Sequence, residues 1–252
     1  MRVEDLDKPR EVAGATDGIL ATLEAYGFEW DGEILHQSRR VETYRAVLEE
    51  LQSRDLIFAC TCSRLQLEDD LRYPGTCRQR PACTEIAAAA RLKVDGGAIT
   101  FSDEVQGMFI QDVGAKVGDV ILRRRDQIFA YLMAVVVDDA AQGITNVVRG
   151  ADLLDNTPRQ IYVQRQLRYA QPTYAHVPVL TEDDGIKLSK SRRSLRLSAT
   201  QPLAELLPIF SLLGLNVPHL NEFSATGDAW RWAIGQWNVN KVPKCLNLPL
   251  KA

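Results

Sequence analysis

Apolar positions recur with helical spacing over the first fifty residues. Ile19, Leu20, Leu23 and Tyr26 share one face of the stretch 10–26, and Val41, Tyr44, Leu48 and Leu51 share one face of 38–53, so two amphipathic helices are predicted. Leu56-Ile57-Phe58-Ala59 is an apolar run of strand length. From about 63 to 118 the periodicity lapses, and Pro74-Gly75, Pro81 and Gly96-Gly97 punctuate the chain, which is the pattern of an inserted subdomain. Regularity returns at Asp119. The segments 120–122, 134–137 and 144–148 are short, apolar and rich in β-branched residues, and each reads as a strand. Asn156-Thr157-Pro158 then supplies a polar cap and a first-turn proline for a helix running to about Tyr169. A further strand at 177–180 leads to the turn Asp183-Asp184-Gly185, and the residues beyond about 200 read as largely helical. Strands alternating with helices imply a parallel α/β sheet carrying an insertion and a helical tail.

Composition narrows the class. The 252 residues are 46% hydrophobic and 25% charged, with 30 basic and 33 acidic residues and a net charge of −3, so disorder as a general state is excluded. The length suits one large domain or two small ones. The longest unbroken apolar run, 128–137, is well short of the roughly 18 residues a membrane helix needs. The chain opens Met1-Arg2-Val3-Glu4-Asp5 and stays charged through Glu11, so no signal peptide is readable and the cytosol is the expected compartment. The slight acidic excess argues against non-specific nucleic-acid binding, although Arg123-Arg124-Arg125 and the stretch 187–196 are local basic clusters.

Four groups of residues could carry chemistry. Cys60, Cys62 and Cys77 cluster with Tyr73 between them and Cys83 close behind. Three thiolates leave one position of a tetrahedral zinc site open, and on ligand chemistry alone Cys83 is preferred to Tyr73 for it; the alternative is a set of buried thiols in a subdomain core. Lys187-Leu188-Ser189-Lys190-Ser191 places two lysines and two hydroxyls where they suit a pyrophosphate leaving group, or else forms a basic surface loop. Tyr131 and Arg149 lie near strand-like runs, where open α/β sheets bind ligands. Together they suit a carboxylate, unless Arg149 is tied up in a structural salt bridge with Asp138 or Asp139. Finally Glu4, Asp5 and Asp7 could read an ammonium group or several hydroxyls, or be a solvated terminus.

In this order the pieces resemble the class I aminoacyl-tRNA synthetases of the glutamyl type. Arg-Val-Glu-Asp-Leu-Asp-Lys-Pro-Arg at 2–10 looks like that family's segment after its first strand and signature helix. Ala134-Val135-Val136-Val137-Asp138-Asp139, Val148-Arg149-Gly150-Ala151-Asp152 and Asn156-Thr157-Pro158-Arg159-Gln160 are similar to its second half, and 187–191 to its mobile ATP-binding loop. The narrower likeness is to a shortened branch of the family. It rests on Ala151 where full-length enzymes usually carry glutamate, on the pattern of Cys60, Cys62, Tyr73 and Cys77, and on the brevity of 192–252, in which Trp230-Arg231-Trp232 to Val242-Pro243 resembles that branch's helical end. The resemblance implies glutamate activation with ATP and Mg²⁺, and transfer to the queuosine base in the anticodon of tRNA(Asp). It implies Glu4, Tyr131 and Arg149 as glutamate ligands, Lys187, Ser189, Lys190 and Ser191 at ATP with Lys190 as the catalytic charge, and one zinc held by Cys60, Cys62, Cys77 and Tyr73. It implies no membrane partner and a monomer.

The expected fold is therefore α/β: a class I synthetase-like Rossmann core, N-terminally incomplete, with a zinc-containing insertion and a short helical C-terminal tail. The expected division is 1–55 for the first part of the core, 56–118 for the insertion, 119–195 for the second half and 196–252 for the tail. The family's histidine-containing ATP signature has no counterpart, since His36, His176 and His219 all lie outside a His-x-Gly-His setting. The chain as given is expected to activate glutamate poorly or not at all. Two alternatives stay open, a non-catalytic zinc-containing tRNA-binding module and a catalytic fragment of an ordinary glutamyl-tRNA synthetase.

Overall fold

The computed structural model describes residues 1–63, 66, 72–79, 87–182, 188, 197 and 200–249. In chain order the elements are β1 (Arg2–Val3), α1 (Ala15–Ala25), β2 (Leu35–His36), α2 (Val41–Ser53) and β3 (Ile57–Cys60). Next come β4 (Ala89–Leu92), β5 (Ala98–Asp103), β6 (Gly107–Asp112), α3 (Val113–Lys116), β7 (Val120–Arg123) and α4 (Tyr131–Ala141). The remainder comprises β8 (Asn146–Gly150), α5 (Thr157–Leu167), β9 (Thr173–Val177), β10 (Val179–Thr181), α6 (Pro202–Leu212), α7 (Thr226–Gln236) and β11 (Asn247–Pro249). Among the described residues no helix is long and apolar enough to cross a membrane.

The larger sheet has the order β6-β5-β9-β8, with β9 parallel to both β5 and β8 and β5–β6 forming an antiparallel hairpin. A second sheet, β3-β4-β7, is antiparallel, and β1–β2 and β10–β11 are short parallel pairs. Sheet membership does not respect the 118/119 boundary. β5 and β6, from the stretch read as insertion, extend the larger sheet, while β7, from the stretch read as core, closes the sheet that begins with β3.

The helix α2 forms as its periodicity predicts, with Tyr44, Val47, Leu48 and Leu51 buried on one side. The stretch 10–26 is helical only from Ala15, because Gly14 at φ +76° ends the preceding turn in a left-handed conformation. The segment 134–137, expected as a strand, lies inside α4. Every residue from Met133 to Asp138 is buried, because α4 is enclosed by α2, α5 and β7 rather than presenting one face to solvent. A helix buried all round loses its polar stripe, and a short valine-rich piece of it is then indistinguishable from a buried strand. The tail is helical as expected. Leu206, Leu207 and Phe210 of α6 and Ala229 and Ala233 of α7 pack around Tyr26, and Trp230 Nε1 donates to the Tyr26 carbonyl at 2.7 Å.

One polar hub ties α2 to α4 through the main core. The carboxylate of Asp138 is fully buried and accepts from Gln37 Nε2 at 2.8 Å, Tyr44 Oη at 2.7 Å and Arg40 Nε at 2.7 Å. Burial and the negative charge of Asp138 push the Tyr44 phenol far above its ordinary value, so that it remains a donor. A buried charge of this kind is tolerated only while all its partners stay in place. Asp138→Ala should therefore lower stability by about 3–5 kcal/mol in urea denaturation, and Asp138→Asn, which keeps an acceptor, by less. An alanine variant as stable as the parent would refute the role of this hub.

Candidate active site

A cleft of about 390 Å³ opens between β1 and β8 and is lined by Arg2, Glu4, Tyr131, Asp139, Arg149 and Leu153, among others. Three of the residues expected at a ligand, Glu4, Tyr131 and Arg149, thus share one cavity. They come from different elements: the end of β1, the first turn of α4 and the second half of β8.

Arg149 is held on three sides. Its Nε donates to His176 Nε2 at 3.1 Å, and its Nη2 donates to Thr157 Oγ1 at 2.8 Å and to Gln160 Oε1 at 2.5 Å. The guanidinium also lies 5.5 Å from the centroid of the Tyr174 ring. Its Nη1 has no hydrogen-bond partner among the described residues. The salt-bridge alternative is not realised among the described contacts, because Asp138 serves the α2 hub and Asp139 is taken by Arg2 Nη1 at 2.7 Å. Arg2 also donates to Gln142 Oε1 at 2.9 Å. Burial works against the Arg2 charge, but Asp139 more than offsets it and holds the guanidinium above its ordinary value.

Glu4 and Tyr131 face the same space. Burial raises the Glu4 carboxyl against the opposing charge of Arg2, whose Nη2 is 3.3 Å away. Burial, reinforced by the Glu4 charge, raises the Tyr131 phenol, so it remains a hydrogen-bond donor. A fixed guanidinium, a carboxylate and a phenol around one cavity complement a ligand carrying both a carboxylate and an ammonium group.

The other acidic residues of the opening segment do different work. Asp5 accepts from the Ser38 backbone N–H at 2.8 Å and from Ser38 Oγ at 2.6 Å, while Asp7 pairs with Arg124 Nη1 at 2.8 Å. These two carboxylates are structural anchors rather than ligands.

The cysteine cluster sits on the other sheet. The sulfurs of Cys60, Cys62 and Cys77 all lie within 4.8 Å of one another, with Cys62 and Cys77 at 3.4 Å. Tetrahedral zinc places its sulfur ligands about 3.8 Å apart, so the donor set fits such an ion. Tyr73 is beside them, its oxygen accepting from the Cys77 backbone N–H at 2.9 Å. Its ring is clamped between Phe58, at 6.1 Å, and the Arg91 guanidinium, at 3.8 Å. Gly118 makes this approach possible: at φ +73°, a Cβ there would lie 2.3 Å from the Tyr73 carbonyl oxygen. Burial opposes ionisation of Cys77, but donors from Thr61, Cys62 and Tyr73 pull its thiol down to about 7, whereas burial and the Cys77 neighbour push Cys62 up to about 11. Cys83, Lys187, Ser189, Lys190 and Ser191 lie outside the described residues.

The sequence pattern did not reveal the residues that hold Arg149. His176 was notable only for lying outside a His-x-Gly-His setting, and Gln160 only as the last letter of Asn-Thr-Pro-Arg-Gln. The available signal was the pairing of two parallel strands, which brings Arg149 opposite His176.

Residues 1–232 match the family described as tRNA synthetases class I (E and Q), catalytic domain. A Pseudomonas aeruginosa protein named glutamyl-Q tRNA(Asp) synthetase is 48% identical over 250 residues, covering 99% of this chain and 85% of its own. A Dechloromonas aromatica protein of the same name is 47% identical over 253 residues, covering 97% and 84%. Among solved structures, a glutamate-tRNA synthetase from Elizabethkingia anophelis shares the fold, with a TM-score of 0.79 at 20% identity. That match covers all of this chain, which spans 61% of the Elizabethkingia chain.

The Asp5–Ser38 anchor generates a pH prediction. Burial alone would raise the Asp5 carboxyl, but its hydrogen bonds from Ser38 lower it from 3.8 to about 2. Its stabilising contribution is therefore complete above pH 4 or so and is lost as pH falls through 2. The stability gap between the parent and Asp5→Asn should be about 2 kcal/mol near neutrality and should shrink steadily from roughly pH 4 downward in denaturant titrations. A gap independent of pH would remove the anchor.

Proposed function

Because the chain belongs to the class I tRNA synthetases of the E and Q type, and is therefore a ligase, we propose that it activates glutamate with ATP and transfers it to the queuosine base of tRNA(Asp). In the first step a carboxylate oxygen of glutamate attacks the α-phosphorus of ATP, the bond to pyrophosphate breaks, and glutamyl-adenylate forms. In the second a nucleophile on the queuosine base attacks the activated carbonyl, and AMP leaves. The observation that carries this reading is the convergence of Glu4, Tyr131 and Arg149 on one cleft.

In this reading Arg149 binds a carboxylate of glutamate, Glu4 its ammonium group, and Tyr131 donates a hydrogen bond. Lys190, with Lys187, Ser189 and Ser191, stabilises charge developing on the phosphates, alongside Mg²⁺ brought in with ATP. No side chain becomes a covalent nucleophile, so catalysis is positioning and electrostatics. The partners are glutamate, ATP and queuosine-containing tRNA(Asp), and the enzyme works as a monomer in the cytoplasm. The names of the relatives favour this acceptor over the 3′ end of tRNA(Glu).

Two arms test the reading. Arg149→Ala should weaken binding of a non-hydrolysable glutamyl-adenylate analogue roughly 10- to 100-fold. Labelled glutamate should attach to queuosine-containing tRNA(Asp) even after removal of its 3′-terminal adenosine. Charging of tRNA(Glu) alone would instead establish an ordinary glutamyl enzyme. Tight RNA binding without analogue binding would establish a binding module.

For the insertion, we propose one zinc per chain on Cys60, Cys62, Cys77 and Tyr73, a role in shaping that sheet rather than in the reaction. The supporting observation is the grouping of three sulfurs with the Tyr73 oxygen at their side. Metal analysis should return about one zinc per chain, and Cys60→Ser should lose it. Unchanged zinc in that variant would refute the assignment, and separate Tyr73→Phe and Cys83→Ser variants would identify the fourth ligand.

A further inference from the structure

Three side chains form a row across the larger sheet. Arg149 on β8 is directly opposite His176 on β9, and Asp103 on β5 is paired with Tyr174, two residues before His176 on the same face. Asp103 Oδ2 lies 2.5 Å from His176 Nδ1, and His176 Nε2 lies 3.1 Å from Arg149 Nε. Asp103 and His176 are both fully buried. Neither reaches the cleft, and neither step of the proposed reaction uses them.

The hydrogen-bond chemistry fixes the protons. Arg149 Nε can only donate, so His176 Nε2 must present a lone pair. The carboxylate of Asp103 can only accept, so the imidazole proton sits on Nδ1. A second proton on the ring would place an imidazolium against a guanidinium at 3.1 Å, with like charges in contact. The Asp103 carboxylate is fixed in turn by the backbone N–H groups of His176 at 3.1 Å, Val105 at 3.1 Å and Gln106 at 2.8 Å. Tyr174 stacks on the His176 ring at 6.1 Å and 18°, which limits its tilt.

We propose that Asp103 and His176 are positioning residues for amino-acid recognition: by holding His176 as the neutral Nδ1–H tautomer, they set the plane of the Arg149 guanidinium and turn its remaining N–H groups toward the cleft. The inference rests on the reading of Arg149 as the carboxylate ligand. It accounts for two fully buried polar side chains behind an arginine whose other supports, Thr157 and Gln160, come from a different element.

Asp103→Asn tests it with little change of volume. The amide keeps one oxygen for the backbone donors, but its NH₂ faces Nδ1 and drives the proton to Nε2, where it confronts Arg149; the same logic applies to an Asp-to-Asn change behind a catalytic histidine. Calorimetry should show glutamate affinity falling roughly tenfold while ATP affinity is unchanged. In a His176→Gln background, whose amide oxygen can accept from Arg149, adding Asp103→Asn should cause no further loss of glutamate affinity, whereas a merely structural role would give additive losses. With only 3 histidines in the chain, ¹⁵N correlation spectra of the unmodified protein read the tautomer directly and need no variant to fold. A proton on His176 Nε2, or equal losses of glutamate and ATP affinity in Asp103→Asn, would overturn the proposal. If Arg149→Ala leaves glutamate affinity intact, the reading of the cleft fails. If it abolishes binding while Asp103→Asn is harmless, only the positioning role fails.

Discussion

The parallel pairing of β9 with β8 on one side and β5 on the other is the constraint on which the site depends. Its register sets Arg149 opposite His176 and brings Asp103 within reach of the same ring. Side chains alternate faces along a strand, so a slip of one residue would send Arg149 to the opposite face of the sheet. The register is fixed by burial: Tyr174, Ala175 and His176 are all buried, and Tyr174 packs edge-on against Phe101 of β5. Packing that specifies β9 thereby also specifies where a cation stands at the mouth of the cleft.

The two fully buried carboxylates are saturated with hydrogen-bond donors, and Glu4, which lines the cleft, is not. Asp138 and Asp103 are fully buried, and each receives at least three hydrogen bonds, which is what allows a charge to persist in the interior. Glu4 has a different environment. Its partner is Arg2 at 3.3 Å, and burial holds its carboxyl above the ordinary value despite that charge. A carboxylate that is partly desolvated and weakly satisfied gains more from an incoming ammonium group than one already saturated with donors.

Much of this was legible in the sequence, and the limits have physical causes. α2 shows its stripe because one side faces solvent, and α5 announces itself through Thr157 and Pro158 at its start. α4 hides because it is enclosed, and its valines then carry no period. β5 does alternate, with Ile99, Phe101 and Asp103 turned inward, but a buried aspartate in that series masks the apolar pattern. On β6 the exposed Met108 and Ile110 and the buried Gln111 invert it. Glu4, Tyr131 and Arg149 could be picked out as candidate ligands, but a solvated terminus and a structural salt bridge explained them as well, and the family resemblance is what favoured the ligand reading. Asp103 and His176 left no local signal, because their relation to Arg149 exists only across three strands.

The opening acidic segment shows how the fold selects one ligand from several similar side chains. Arg2 is pinned to Asp139 of α4, Asp5 to Ser38 beyond β2, and Asp7 to Arg124 in the loop that leads to α4. Each contact joins the segment to a different part of the chain, so the backbone between positions 2 and 7 has little freedom. β1 pairs in parallel with β2 over Arg2 and Val3, which sets the direction in which the chain runs on to Glu4. Within that frame Glu4 is the acidic residue turned to the cleft, while its neighbours are occupied with anchoring. The loop holding Arg124 folds back on the smaller sheet: Arg123 of β7 pairs with Phe129, two residues before Tyr131. Tyr131 is therefore positioned from the sheet that ends in the cysteine cluster, and Arg149 from the other. In the proposed reading the two charged ends of an amino acid would meet Arg149 on the larger sheet and Glu4 at the end of the β1–β2 pair, so the span between those ends would be set by the packing of these two elements.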